Sequence, residues 1–205
     1  MSENETHSEG HNIHETAKLG MWLFIFTELL LFGGLFLVYS VFRHKYPANF
    51  HEGSLELSVT IGTINTIALL FSSMTIAMSL TAIQREDKKM TLRFIAITIL
   101  MAAIFLVNKY VEWGAKFHHG LYPGSALMPH LGRGDLMYFS LYFFMTGLHA
   151  LHIIIGMVLL TIAFFKVKNG SINKHYFHNL ENAALYWHLV DLIWIFLFPL
   201  LYLIT

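Results

Sequence analysis

A glutamate, three histidines and an aspartate stand inside runs that are otherwise apolar, and carboxylates with imidazoles are the groups that carry protons or ligate metals. Glu28 follows Phe24-Ile25-Phe26-Thr27; His149 and His152 bracket Ala150-Leu151; His188 and Asp191 bracket Leu189-Val190. A spacing of three puts the members of each pair on one helical face. An ionisable group at membrane depth costs roughly 3 kcal/mol on insertion scales, so it normally faces protein or a wet cavity. Three chemistries suit such residues. One is proton relay, with Glu28 as a proton-active or modulatory carboxylate. The second is structural, with a protonated acid and the imidazoles bonding one helix to the next. The third is a mononuclear or dinuclear metal centre built from His149, His152, His188, Asp191 and Glu28. The spacing argues against that last reading, because the paired Glu-x-x-His motif of di-iron bundles is missing and a lone His-x-x-His is a weak signal.

Membrane helices must position these side chains. The 205 residues are 56% hydrophobic, 15% aromatic and only 13% charged, and the mean hydropathy is positive, which indicates a polytopic membrane protein. Formal net charge is zero, so nothing electrostatic favours nucleic acid or an acidic substrate. Cysteine is absent, and thiolate metal sites, disulfides and cysteine nucleophiles go with it. Residues 1–18 read as a polar tail without the features of a cleaved signal peptide, and residues 19–205 as a single membrane domain. Apolar runs at about 19–42, 57–82, 92–111, 136–165 and 183–204 are each long enough to span a bilayer as a helix, and none alternates as a spanning strand would. The expected fold is an all-α integral membrane bundle of five transmembrane helices. Residues 112–135, punctuated by Gly120, Pro123, Gly124, Pro129, Gly132 and Gly134, read as an irregular loop.

Lys18, Arg85, Lys88, Lys89, Arg93, Lys166, Lys168 and Lys174 fall on one side of these spans; Arg43, Lys45, Lys109, Lys116 and Arg133 fall on the other. Eight against five predicts the amino terminus inside and the carboxyl terminus outside. Glu28 then lies about 15 Å deep at 1.5 Å per residue, near the bilayer centre. His149 and His152 fall near the same level, with His188 and Asp191 within a turn or two, so an inward polar cluster is geometrically open. Gly62, Asn65, Leu69, Ser72, Ser73, Ile76 and Ser79 form a small, polar-edged stripe that reads as a packing seam. Lys109, Tyr110, Glu112 and Trp113 read as interface anchors. His7, His11 and His14 share a face if the tail is helical, while His118, His119 and His130 fall in the outer loop.

Taken together, the motifs resemble subunit III of the haem-copper terminal oxidases in its short five-helix bacterial form. Leu19-Gly20-Met21-Trp22-Leu23-Phe24-Ile25-Phe26-Thr27-Glu28 looks like the family's segment around a buried, carbodiimide-reactive glutamate. Asn65-Thr66 with Ser72-Ser73, and Lys109-Tyr110-Val111-Glu112-Trp113, are similar to its later helices. Thr146-Gly147-Leu148-His149-Ala150-Leu151-His152 and Tyr186-Trp187-His188-Leu189-Val190-Asp191 match its strongest signatures. The resemblance implies a non-catalytic partner of catalytic subunit I, without a catalytic centre of its own. Haem and copper would belong to that partner, and this chain would bind no metal. It would support proton uptake, a bound phospholipid environment and the stability of the catalytic subunit, in a bacterial inner membrane. Glu28 would be the buried proton-active carboxylate; His149, His152, His188, Asp191 and Glu112 would make inter-helix polar or lipid contacts. Relative to the longer family form, two initial helices are lacking. Quinol oxidase and nitric oxide reductase accessory subunits are the near alternatives. A stand-alone proton-coupled transporter is the distant one, disfavoured because the spans show neither duplicated halves nor interrupted helices.

Overall fold

A computed structural model describes residues 3–118, 120–125, 132–174 and 177–204, with the side chains of residues 3–15 and 17 outside the description. Its described elements are helical: α1 (Glu3–Lys45), α2 (Pro47–Leu55), α3 (Val59–Gln84), α4 (Lys88–His118), α5 (Arg133–Lys168) and α6 (His178–Tyr202). Five segments are long and apolar enough to cross a membrane: Lys18–Lys45 of α1, and the whole of α3, α4, α5 and α6. The chain is therefore a multi-pass membrane protein, and the all-helical expectation holds.

The helix ends explain where the segments stop. Pro47 at the start of α2 fits its fixed backbone to a first turn, where the missing N–H has no role. The Ser58 hydroxyl accepts from the Ile61 N–H at the start of α3. At the end of α5, Gly170 adopts φ 81°; its N–H bonds to Val167 O and that of Ser171 to Lys166 O, the paired closure of a Schellman motif. One helix has no sequence signature here, and one sequence expectation fails. The short α2 carries no apolar period long enough to announce itself. The loop expected from Glu112 onward begins later, because α4 continues to His118 before a turn at Gly120. His118 thus ends a helix; His119 and His130 lie outside the described residues, as do the side chains of His7, His11 and His14.

Lipid is as apolar as a leucine side chain, so spans associate through close packing and hydrogen bonds. The α3 stripe supplies both: Gly62, Asn65, Leu69, Ser72, Ile76 and Ser79 are all buried. Across the broad α3/α4 contact, Asn108 Nδ2 donates to Asn65 Oδ1 at 2.8 Å, and the Thr75 and Thr98 hydroxyls are 2.8 Å apart. The α6 helix sits centrally, packing on α3 and α5, with Trp187 and Trp194 fully buried. Gly156 of α5 admits the Trp187 ring so closely that a Cβ there would lie 2.8 Å from ring carbon Cε3. Carbonyls near the end of α6 accept from Tyr39 (at Leu200) and Tyr138 (at Leu201), tying α1 and α5 to the orphan groups of that terminus. By contrast α1 lies at the rim. Only 6% of its apolar stretch is buried inside the bundle, against 56% for α6.

Candidate functional site in the bundle interior

The inward residues do not form one cluster. They separate into three places. At the first, Glu28 of α1 meets His152 of α5, with Oε2 and Nε2 3.0 Å apart. His152 Nδ1 is 2.7 Å from the Leu148 carbonyl, which can only accept, so Nδ1 carries a hydrogen. Nε2 and Glu28 Oε2 then share a single proton, either as acid and neutral imidazole or as carboxylate and imidazolium. The pair keeps zero net charge in both forms, which suits a low-dielectric site. Phe32 and Tyr186 flank the His152 ring, and the Tyr186 hydroxyl donates to the His152 carbonyl at 3.2 Å.

At the second place, α4, α5 and α6 converge on Lys109 and Glu112. The Lys109 ammonium donates to Glu112 Oε2 (3.2 Å), the Tyr202 hydroxyl (2.7 Å) and the Tyr142 hydroxyl (3.3 Å). Both phenols donate to Glu112 Oε1 at 2.6 Å. The ammonium also lies 5.3 Å from the Trp194 ring centre. Each hydrogen of the ammonium and each oxygen of the carboxylate is used, the condition under which a buried ion pair is tolerated. Lys109 and Glu112 are 3% and 5% exposed, so these two turn inward where the sequence suggested interface anchoring. Tyr110 faces outward. Toward the His118 end of α4, Lys116 donates to the Glu56 carbonyl and lies 3.8 Å from Glu56 Oε2.

The third place is the α3/α6 contact. The Ser73 hydroxyl is 2.6 Å from His188 Nδ1, Trp187 Nε1 donates to Ser72 Oγ (3.0 Å), and Trp194 Nε1 donates to Thr66 Oγ1 (3.0 Å). Asp191 is buried one turn beyond His188, with neither carboxyl oxygen in a hydrogen bond of good geometry; Ser73 is the side chain that bears on it. His149 of α5 lies outside this contact: it stacks on Trp194 of α6 with ring centres 5.2 Å apart and meets Phe105 of α4 edge-on, and neither ring nitrogen is hydrogen-bonded. His149 and His152 therefore share a helical face yet serve different neighbours. Among the described residues no group of three His, Cys, Asp or Glu side chains is placed to hold a metal ion.

Sequence reasoning missed Lys109, Tyr142 and Tyr202 as partners of Glu112, and Ser73 as the partner of His188. The three-residue step from Lys109 to Glu112 was a signal for the first. A cleft of about 420 Å³ opens beside the Glu28 region between α1, α5 and α6, lined by Met21, Phe24, Ile155, Leu159 and Tyr186 together with Lys166 and Asn182.

Fold and site define a multi-pass membrane protein whose inward ionisable groups tie one span to another. The chain belongs to the cytochrome c oxidase subunit III family, which it matches over residues 1–205. It is 33% identical over 196 residues to cytochrome c oxidase subunit 3 of Thermostichus vulcanus, covering 95% of this chain and 90% of that one. A probable quinol oxidase subunit 3 of Staphylococcus aureus is 30% identical over 192 residues, covering 93% and 90%. The haem-copper oxidase subunit I+III of Aeropyrum pernix is 32% identical over 193 residues, 91% of this chain but 22% of that longer protein. These relatives are subunits of haem-copper oxidases, in agreement with the resemblance read from the motifs.

Proposed function

We propose that this chain is the non-catalytic subunit III of a respiratory haem-copper oxidase in a bacterial inner membrane, with its amino terminus inside and residues 19–205 acting as one membrane domain. The observation that carries this reading is the family match across residues 1–205 on a five-span bundle. Its partner is catalytic subunit I, which holds the haem and copper, reduces oxygen and pumps protons; the Aeropyrum relative, in which the two subunits are named as one protein, supports that pairing.

In this reading Glu28 is the proton-active group. A carboxyl that shares one proton with His152 Nε2 across 3.0 Å, at the rim helix, can pass that proton between two atoms without creating net charge. Glu112 fixes helices through Lys109, Tyr142 and Tyr202, and His188 does so through Ser73; His149 contributes by stacking on Trp194, and Asp191 is buried beside Ser73. The apolar cleft beside α1, with Lys166 on its lining, suits a phospholipid chain and headgroup. Isolating the native complex and recording its visible spectrum alongside its polypeptide composition tests the proposal. Haem bands in a preparation containing this chain are expected; a chain that purifies free of any haem protein, or that moves protons alone in liposomes, overturns it. The Staphylococcus relative favours assaying both quinol and cytochrome c as donors.

A further inference from the structure

His188 stands ten residues into α6, about 15 Å from its start at 1.5 Å per residue and so at the middle of the span. Nδ1 is engaged by the Ser73 hydroxyl, which fixes the ring between α3 and α6. The ring is only half-buried, and Nε2 has no hydrogen-bond partner in the described chain. His152 differs on this point, since both of its nitrogens are bonded within the protein. Beyond Ser73 and the buried Asp191, the exposed flanks of His188 are apolar: Leu70 and Met74 on α3 and Leu192 and Ile195 on α6. Acyl chains can coat those four side chains, but hydrocarbon offers an imidazole nitrogen nothing. The outward faces of α1 and α5, with Leu30 and Leu37 on one and Leu151, Ile154 and Val158 on the other, set no such requirement.

We propose that the α3/α6 face centred on His188 docks a transmembrane helix of the catalytic subunit, and that this helix sets a hydrogen-bonding side chain against His188 Nε2. The proposal rests on the accessory-subunit reading above and adds to it a face and an atom. A polar side chain on an otherwise apolar helix meets both halves of the surface: the apolar flanks by packing and the nitrogen by a directed bond. The partner is specified by chemistry, as a spanning helix with a hydroxyl, amide, carboxyl or imidazole near mid-bilayer depth.

The chain's lack of cysteine leaves photo-crosslinking the cleaner probe. A photo-reactive residue replaces Leu70 or Leu192 in the intact complex in native membranes, with His188 untouched. Irradiation is expected to join this chain to the haem-carrying polypeptide at both positions. Labelling of lipid alone, of a second copy of this chain, or of a subunit without haem overturns the proposal. In parallel, His188→Leu is expected to speed loss of this subunit from the detergent-solubilised complex by on the order of tenfold, one such bond's worth. His188→Gln, which keeps a polar group near Nε2, should lose it much more slowly. Equal loss in both variants, with unchanged helical content and thermal unfolding of the released chain, removes the hydrogen bond from the account. A chain that never co-purifies with haem ends the accessory-subunit reading and this inference together; co-purification with lipid-only labelling ends this inference alone.

Discussion

Glu28 and Glu112 are both carboxylates inside membrane spans, and the bundle holds them differently. Glu112 accepts from an ammonium and two phenols contributed by α4, α5 and α6, in the part of the molecule organised around the central α6. Glu28 sits on the rim helix, 15% exposed at its side chain, and meets a single imidazole. A carboxylate with both oxygens engaged by donors from three helices is a lock, because protonating it would disturb all three. A group with one partner can change which atom carries the proton and leave the helices where they are. The same contrast runs through the packing: α6 is wedged against Gly156, while nothing lies within 4 Å of a Cβ added at Gly33 on α1.

Four substitutions test that contrast, in descending order of expected effect. Glu112→Leu leaves the Lys109 ammonium buried with only two phenols and should destabilise the subunit by about 3–5 kcal/mol; thermal unfolding in detergent reads it, and an unchanged midpoint would show that the network is no lock. Gly156→Ala pushes a methyl into the Trp187 ring, which is fully buried and has nowhere to go, for about 1–3 kcal/mol in the same assay. Glu28→Gln keeps a donor toward His152 Nε2, so stability should change by no more than about 1 kcal/mol, assembly should survive, and activity sustained over many turnovers should change. If that variant drops out of the complex, Glu28 belongs with Glu112 and the comparison fails. Gly33→Ala meets no atoms and removes a flexible helix residue, so the change should stay within about 1 kcal/mol and favour stability; a clear loss would place another surface against that face.

Much of this arrangement was legible in the sequence. The apolar runs foretold five spans, because only helices of that length can hide their backbone in lipid. The three-residue step correctly put His149 and His152 on one face. Spacing along one helix, however, does not say which neighbour each residue meets, and so it did not foretell that His152 turns to α1 while His149 turns to Trp194. Lys109 and Glu112 were read as interface anchors because charges near a span end usually reach for water. What reverses that here is two tyrosines, 33 and 93 residues downstream of Lys109, that supply the missing hydrogen bonds. Long-range partners of this kind leave no local trace.

The Lys109 network also fixes an order in biosynthesis. Lys109 and Glu112 leave the ribosome together on one helix and can neutralise each other at once, whereas Tyr142 and then Tyr202 arrive only as later segments are made. Until the final span is in place, the charge pair lacks the Tyr202 hydroxyl that donates to Glu112 and accepts from Lys109, so the network closes only when the last helix docks.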